Sequence, residues 1–121
     1  MQIQLLKANP DAEYYFDEGC YILELSNSAT DPEVSIARAT VKPRVTTQLH
    51  RLLDTVERYV ILSGQGQVEI GDQGPQAVAV GDVVIIPALC PQRISNIGDD
   101  DLVFLAICTP RFVAENYQSV A

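Results

Sequence analysis

The chain contains one histidine, His50. Any chemistry that needs an imidazole must pass through it. A centre built on three or four histidines is excluded, and a Ser-His-Asp triad could use only His50, with no GxSxG elbow to supply its serine. His50 lies in an extended run. Successive side chains of a strand alternate faces, so the sequence predicts that Thr46, Gln48, His50 and Leu52 share one face. Glu57 follows after a short connection and should return beside His50, with Tyr59 two residues on and on the same face. An imidazole, a carboxylate and a phenol in one pocket can move protons or, in part, hold a metal. Cys90 sits between Pro87 and Pro91 in a loop before Gln92, near the expected pocket mouth. Its thiol is either a nucleophile or soft ligand, or a shielded loop side chain with no cation beside it. Arg51, Arg58 and Arg93 alternate with pocket-facing positions and should point away.

The elements that must position these groups read as short strands. Turn signals recur at Asn9-Pro10, Asp31-Pro32, Pro43, Ser63 to Gly66, Gly71 to Pro75, Gly81-Asp82, Pro87 to Pro91 and Asn96 to Asp101. Runs rich in β-branched and aromatic residues lie between them. That rhythm predicts an all-β sandwich or barrel. The expected strands are Cys20 to Ser26, Val34 to Val41, Thr46 to Leu53, Arg58 to Leu62, Gln67 to Ile70, Gln76 to Val80, Val83 to Ile86, Gln92 to Ser95 and Leu102 to Cys108. Val83 to Ile86 and Leu102 to Cys108 are apolar throughout and read as buried on both faces. Gly64 and Gly66 suggest a hairpin between Val60 and Ile70. Phe112 to Tyr117 could form a short helix or a docking arm.

Composition narrows the partners. A chain of 121 residues is the size of a single domain, taken here as 1–121. Eight basic and sixteen acidic residues give a net charge of −8, which disfavours nucleic acid and anionic membranes. No apolar run reaches the roughly 20 residues of a membrane span. The opening residues lack the pattern of a signal peptide, so a cytoplasmic location is expected. The three cysteines, Cys20, Cys90 and Cys108, show no CxxC spacing and no disulfide framework. Cys20 and Cys108 lie in apolar runs and read as small core residues.

Two spacings together resemble the cupin superfamily. The first frame is His50, Leu52, Glu57 and then Gly64, where the family has two histidines, a glutamate and a glycine. The second is Gly81, Pro87, Gln92 and Asn96, with Leu89 in place of a glycine and Gln92 in place of the third histidine. The likeness runs from about Val34 to Cys108, the expected core barrel 34–108. It implies an all-β double-stranded β-helix, the jelly-roll barrel. It further implies a divalent metal (Fe, Mn, Ni, Co or Zn) on His50, Glu57 and Gln92, although leucine has no donor atom and an amide is a weaker ligand than imidazole. The implied pocket includes Gln48, Leu52, Tyr59 and Cys90. Two functions follow. One is a metal-dependent isomerase, lyase or dioxygenase acting on a small polar metabolite, with Glu57 or Tyr59 assisting proton transfer. The other is a non-catalytic sensor or carrier that binds a small ligand without metal. The resemblance also implies a homodimer, with the N-terminal strand or Phe112 to Tyr117 reaching across to the partner.

Overall fold

The computed structural model describes residues 1–120. Its strands are β1 (Tyr14–Phe16), β2 (Cys20–Ser26), β3 (Ser35–Val41), β4 (His50–Leu52), β5 (Val56–Ser63), β6 (Gln65–Ile70), β7 (Gln76–Ala79), β8 (Val83–Ile86), β9 (Gln92–Asn96), β10 (Leu102–Thr109) and β11 (Tyr117–Ser119). Two antiparallel sheets result. One has the order β1-β2-β3-β10-β5-β8, the other β11-β4-β9-β6-β7. Their facing surfaces enclose the core of the jelly-roll. The described residues contain no helix long and apolar enough to cross a membrane.

Alternation along the strands builds that core. In β5, Glu57, Tyr59 and Ile61 point inward, and Arg58, Val60 and Leu62 point outward. In β9, Gln92, Ile94 and Asn96 are buried. Tyr59 packs on Phe104 with ring centroids 4.5 Å apart. Around them Val41, Ile61, Ile86, Ile94 and Leu102 are almost wholly removed from water.

Several expectations need correction. The run Thr46 to Leu53 is not one strand. Thr47 turns inward, where its hydroxyl accepts from the Ile94 amide at 3.0 Å and its own amide bonds the Ile94 carbonyl at 2.9 Å. Thr46 makes only an isolated bridge to Ser95. The break shifts the phase of alternation, so Thr46 and Gln48 are exposed while His50 and Leu52 are buried.

The expected hairpin between Val60 and Ile70 is also absent. β5 and β6 belong to different sheets, and Gly64 carries the chain between them. Its φ is +87°, and a Cβ there would lie 2.6 Å from the Asp101 carbonyl oxygen. The hairpin of this region is instead β6–β7. Strand β8 is not buried on both faces, because it is a sheet edge with Val83 and Ile85 56% and 64% exposed. In β10 the outer residues Val103, Leu105 and Ile107 are half-buried.

The tail forms a 3-10 turn at Ala114–Asn116 and then strand β11, which pairs with β4 of the same chain. The Leu53 amide bonds the Asn116 carbonyl at 2.8 Å, and the Val120 amide bonds the Leu49 carbonyl at 3.0 Å. This segment closes its own barrel and does not reach outward.

Candidate functional site

A cavity of about 70 Å³ lies between the sheets. That is room for a few waters or a compact ligand. It exists because the inward positions of neighbouring strands are small. Ala37 of β3 is the register partner of Ala106 of β10, and Ala39 follows on the same face. The larger sheet adds Glu57, Tyr59 and Phe104, and the smaller sheet adds His50, Leu52 and Tyr117.

His50 is held by its neighbours on both sides. Its Nδ1 lies 2.8 Å from the Gln48 carbonyl oxygen. A carbonyl only accepts, so Nδ1 carries the proton and Nε2 is the lone-pair nitrogen. The Tyr117 ring stacks on the imidazole, centroids 4.9 Å apart and planes 17° from parallel. Burial lowers the His50 pKa, and its bond to the Gln48 carbonyl only partly opposes this. The ring is therefore neutral near pH 7.

Nε2 faces a residue the sequence reading missed. Glu18 Oε1 lies 3.6 Å away, too far for a hydrogen bond. Glu18 comes from the turn between β1 and β2. Gly19, at φ +114°, turns the chain there, and the Glu18 carbonyl accepts from the Gln48 amide at 2.7 Å. Gly19 is the one residue here whose type could have signalled a turn, and nothing in the sequence shows that an acidic turn residue points inward.

Glu57 is 9% exposed. The Cys108 thiol reaches its Oε2 at 3.6 Å, and its Oε1 has no hydrogen-bond partner. Glu18 has a similar sulfur neighbour, the Cys20 thiol, 3.5 Å from its Oε2. Burial raises the Glu57 pKa to about 7, against smaller lowering effects of the Gln92 amide and the Cys108 thiol. Glu18 is likewise pushed up to about 7, first by burial and then by the charge of Glu57. Two carboxyls thus stand ready to hold or release a proton near neutrality.

The other expected site residues divide. Leu52 and Tyr59 line the cavity with His50 and Glu57. Gln92 is buried opposite His50, its register partner, and its amide acts on the Glu57 carboxyl, although it is not itself part of the cavity lining. Tyr59 donates its hydroxyl to Gln92 Oε1 at 2.6 Å, and burial holds the Tyr59 pKa well above its usual value. The phenol thus holds the Gln92 amide in place. Gln48 points out to solvent and bonds Ser119 Oγ at 2.7 Å, so it is no part of the pocket. Cys90 lies outside the cavity, half-buried against the turn at Gly71. Arg51, Arg58 and Arg93 bond Gln118, Thr109 and Glu69 on outer faces.

This donor set does not fit a resident divalent metal. Leu52 fills one ligand position with hydrocarbon, and the amide oxygen of Gln92 is taken by Tyr59. Among the described residues, no three His, Cys, Asp or Glu side chains converge as ligands.

Comparison with known proteins places the fold. The family model described as "Cupin domain" matches residues 37–108. An uncharacterized protein of Methanocaldococcus jannaschii, MJ1618, is 32% identical over 105 residues, covering 85% of this chain and 83% of its own length. Glucose-6-phosphate isomerase of Pyrococcus furiosus is 37% identical over 76 residues, covering 60% of this chain. Among solved structures, an S161A mutant of Bacillus subtilis oxalate decarboxylase OxdC superposes with a TM-score of 0.77 at 25% identity over 91% of this chain. The chain spans only 40% of the isomerase and 30% of the decarboxylase.

Proposed function

The chain belongs to the cupin family, and from that premise we propose that its cavity binds a small polar metabolite and transfers a proton within it, as an isomerase or lyase does. The observation that carries this reading is Glu57, a buried carboxyl with an unpartnered Oε1 on the cavity wall. A general acid or base works best when its pKa lies near the working pH. Glu57 would take or give the proton, and Glu18, across from His50 Nε2, would be the second carrier. Tyr59 and Gln92 would fix the wall from which Glu57 projects. Metal-dependent chemistry, which fits the Mn(II) centres described for OxdC, would here lack two of the family's ligand positions.

The test is proton exchange. Wild-type protein in D₂O, offered a panel of small polar metabolites, should wash deuterium into one carbon position of a bound compound. The Glu57→Gln variant should lose about a hundredfold or more of that rate. A compound that binds without any exchange would instead favour the carrier or sensor reading. Binding of none would remove the site.

Assembly is part of the same reading. Leu62, Val83 and Ile85 are exposed on one outer sheet face, beside half-buried Val60 and Leu105. Contiguous apolar surface of this kind marks an interface. We propose a twofold homodimer formed through it, in a reducing compartment such as the cytoplasm, where free cysteines persist. Sedimentation should give twice 13.3 kDa at micromolar concentration. Ile85→Lys should return the protein to monomer. A wild-type species of 13.3 kDa alone would refute the interface.

A further inference from the structure

The cavity wall has an unusual charge balance. Glu18, Glu24 and Glu57 all line it, and among the described residues no lysine or arginine does. Glu57 is buried and the Glu18 side chain is 11% exposed, while Glu24 is exposed and shared with an outer groove. The nearest guanidinium in that groove is Arg111, whose Nη1 is engaged by Asn27 Oδ1 at 2.9 Å. An anion entering here would face carboxylates with no counter-charge. A buried carboxylate without a partner is itself costly, and a cation brought beside it relieves that cost.

The remaining walls are aromatic. Tyr117 lies between two other rings, stacked on His50 and edge-to-face with Phe16 at 5.2 Å. Its hydroxyl is buried beside the Glu18 carboxyl without a hydrogen bond of good geometry, and Glu57 Oε1 is likewise unpartnered. Aromatic faces attract ammonium groups through the ring quadrupole, and the attraction grows when water is excluded. Carboxylates and aromatic rings around one hollow, with two unpartnered polar atoms in its walls, form a setting for a positively charged organic group.

We infer that the ligand of this cavity is a small organic cation, a protonated amine or ammonium compound, bound between the Glu18 and Glu57 carboxylates and the Tyr117 ring. The inference rests on the reading of the cavity as a ligand site and adds the charge of what enters. Sugar phosphates and dicarboxylates are the wrong sign for it.

Calorimetric titration tests the sign directly. The cationic probes are methylammonium, ethanolamine and tetramethylammonium. The anionic probes are oxalate and glucose 6-phosphate, and dihydroxyacetone is the neutral one. At least one cation should bind, and Glu18→Gln and Glu57→Gln should each weaken it tenfold or more. Far-ultraviolet circular dichroism of both variants establishes that the fold is kept. The anions should give no heat. Failure of all three cations to bind, or tighter binding of an anion, would overturn the inference. Dihydroxyacetone binding with deuterium exchange alpha to its carbonyl, and no cation binding, would leave the proton-transfer reading standing and remove the charge assignment alone.

Discussion

Glu57→Gln should make the protein more stable at pH 8, by up to about 3 kcal/mol. The ordinary carboxyl pKa of 4.5 is raised to about 7 in the folded state, chiefly by burial. The folded protein therefore holds this proton more tightly than the unfolded chain. The stability that follows is fully present below about pH 4.5 and is lost as pH rises to about 7. Above that pH the ionised carboxylate remains buried, with its Oε1 unpartnered. Glutamine has the same shape without the charge, so it escapes the loss. The expected gain in melting temperature at pH 8 is on the order of 10 °C, and the difference should vanish near pH 4. Glu18 is raised for the same first reason and adds to the fall of wild-type stability over the same window. His50 acts in the opposite sense, because its lowered pKa costs stability as pH falls below 6.5. Subtracting the variant from the wild type gives the contribution of Glu57 together with its coupling to Glu18. Scanning calorimetry at several pH values is the measurement. Equal melting temperatures at pH 8 would show that Glu57 ionises at no cost.

The double substitution Leu52→His plus Gln92→His should raise affinity for nickel, cobalt or zinc by orders of magnitude. His50 and Gln92 are register partners on adjacent strands, and Leu52 is buried on the His50 face and lines the cavity beside Glu57. Two imidazoles there would complete a set of three histidines and one glutamate. Imidazole binds these ions far better than an amide does, and leucine does not bind them at all. Metal should also raise the melting temperature of the variant, since it binds only the folded state. Without metal the variant should be less stable. Gln92 is among the most buried side chains, Tyr59 would lose its amide acceptor, and a polar ring would replace Leu52. Titration after chelator treatment compares the two proteins. A folded variant that binds no better than its parent would mean that positions 52 and 92 do not face a common centre.

The barrel was readable because its signals are repetitive. Turn residues at short intervals, together with period-two burial in β5 and β9, are enough to give strands and their faces. The spacing of His50, Leu52, Glu57 and Gln92 picked out residues that lie close together inside the barrel. The reading failed where one local contact changed the phase. Thr47 bonds Ile94, and that contact puts Gln48 outside. It failed again at β8, where apolar composition does not distinguish a central strand from an apolar edge. Glu18 and Tyr117 were out of reach for a different reason. Each is brought to His50 by chain closure over a long sequence separation, and no local pattern encodes which distant residue will arrive.

That division has an evolutionary side. The matched frame, residues 37–108, supplies His50, Glu57 and Gln92. Glu18 and Tyr117 lie outside it, on a turn and a short strand near the two ends of the chain. Neither belongs to the packed centre around Ile61 and Phe104. A lineage can therefore exchange these residues, one point mutation at a time, while the hydrophobic core and the barrel histidine stay as they are. Relatives that share the frame and differ only at their ends would be expected to diverge in what they hold.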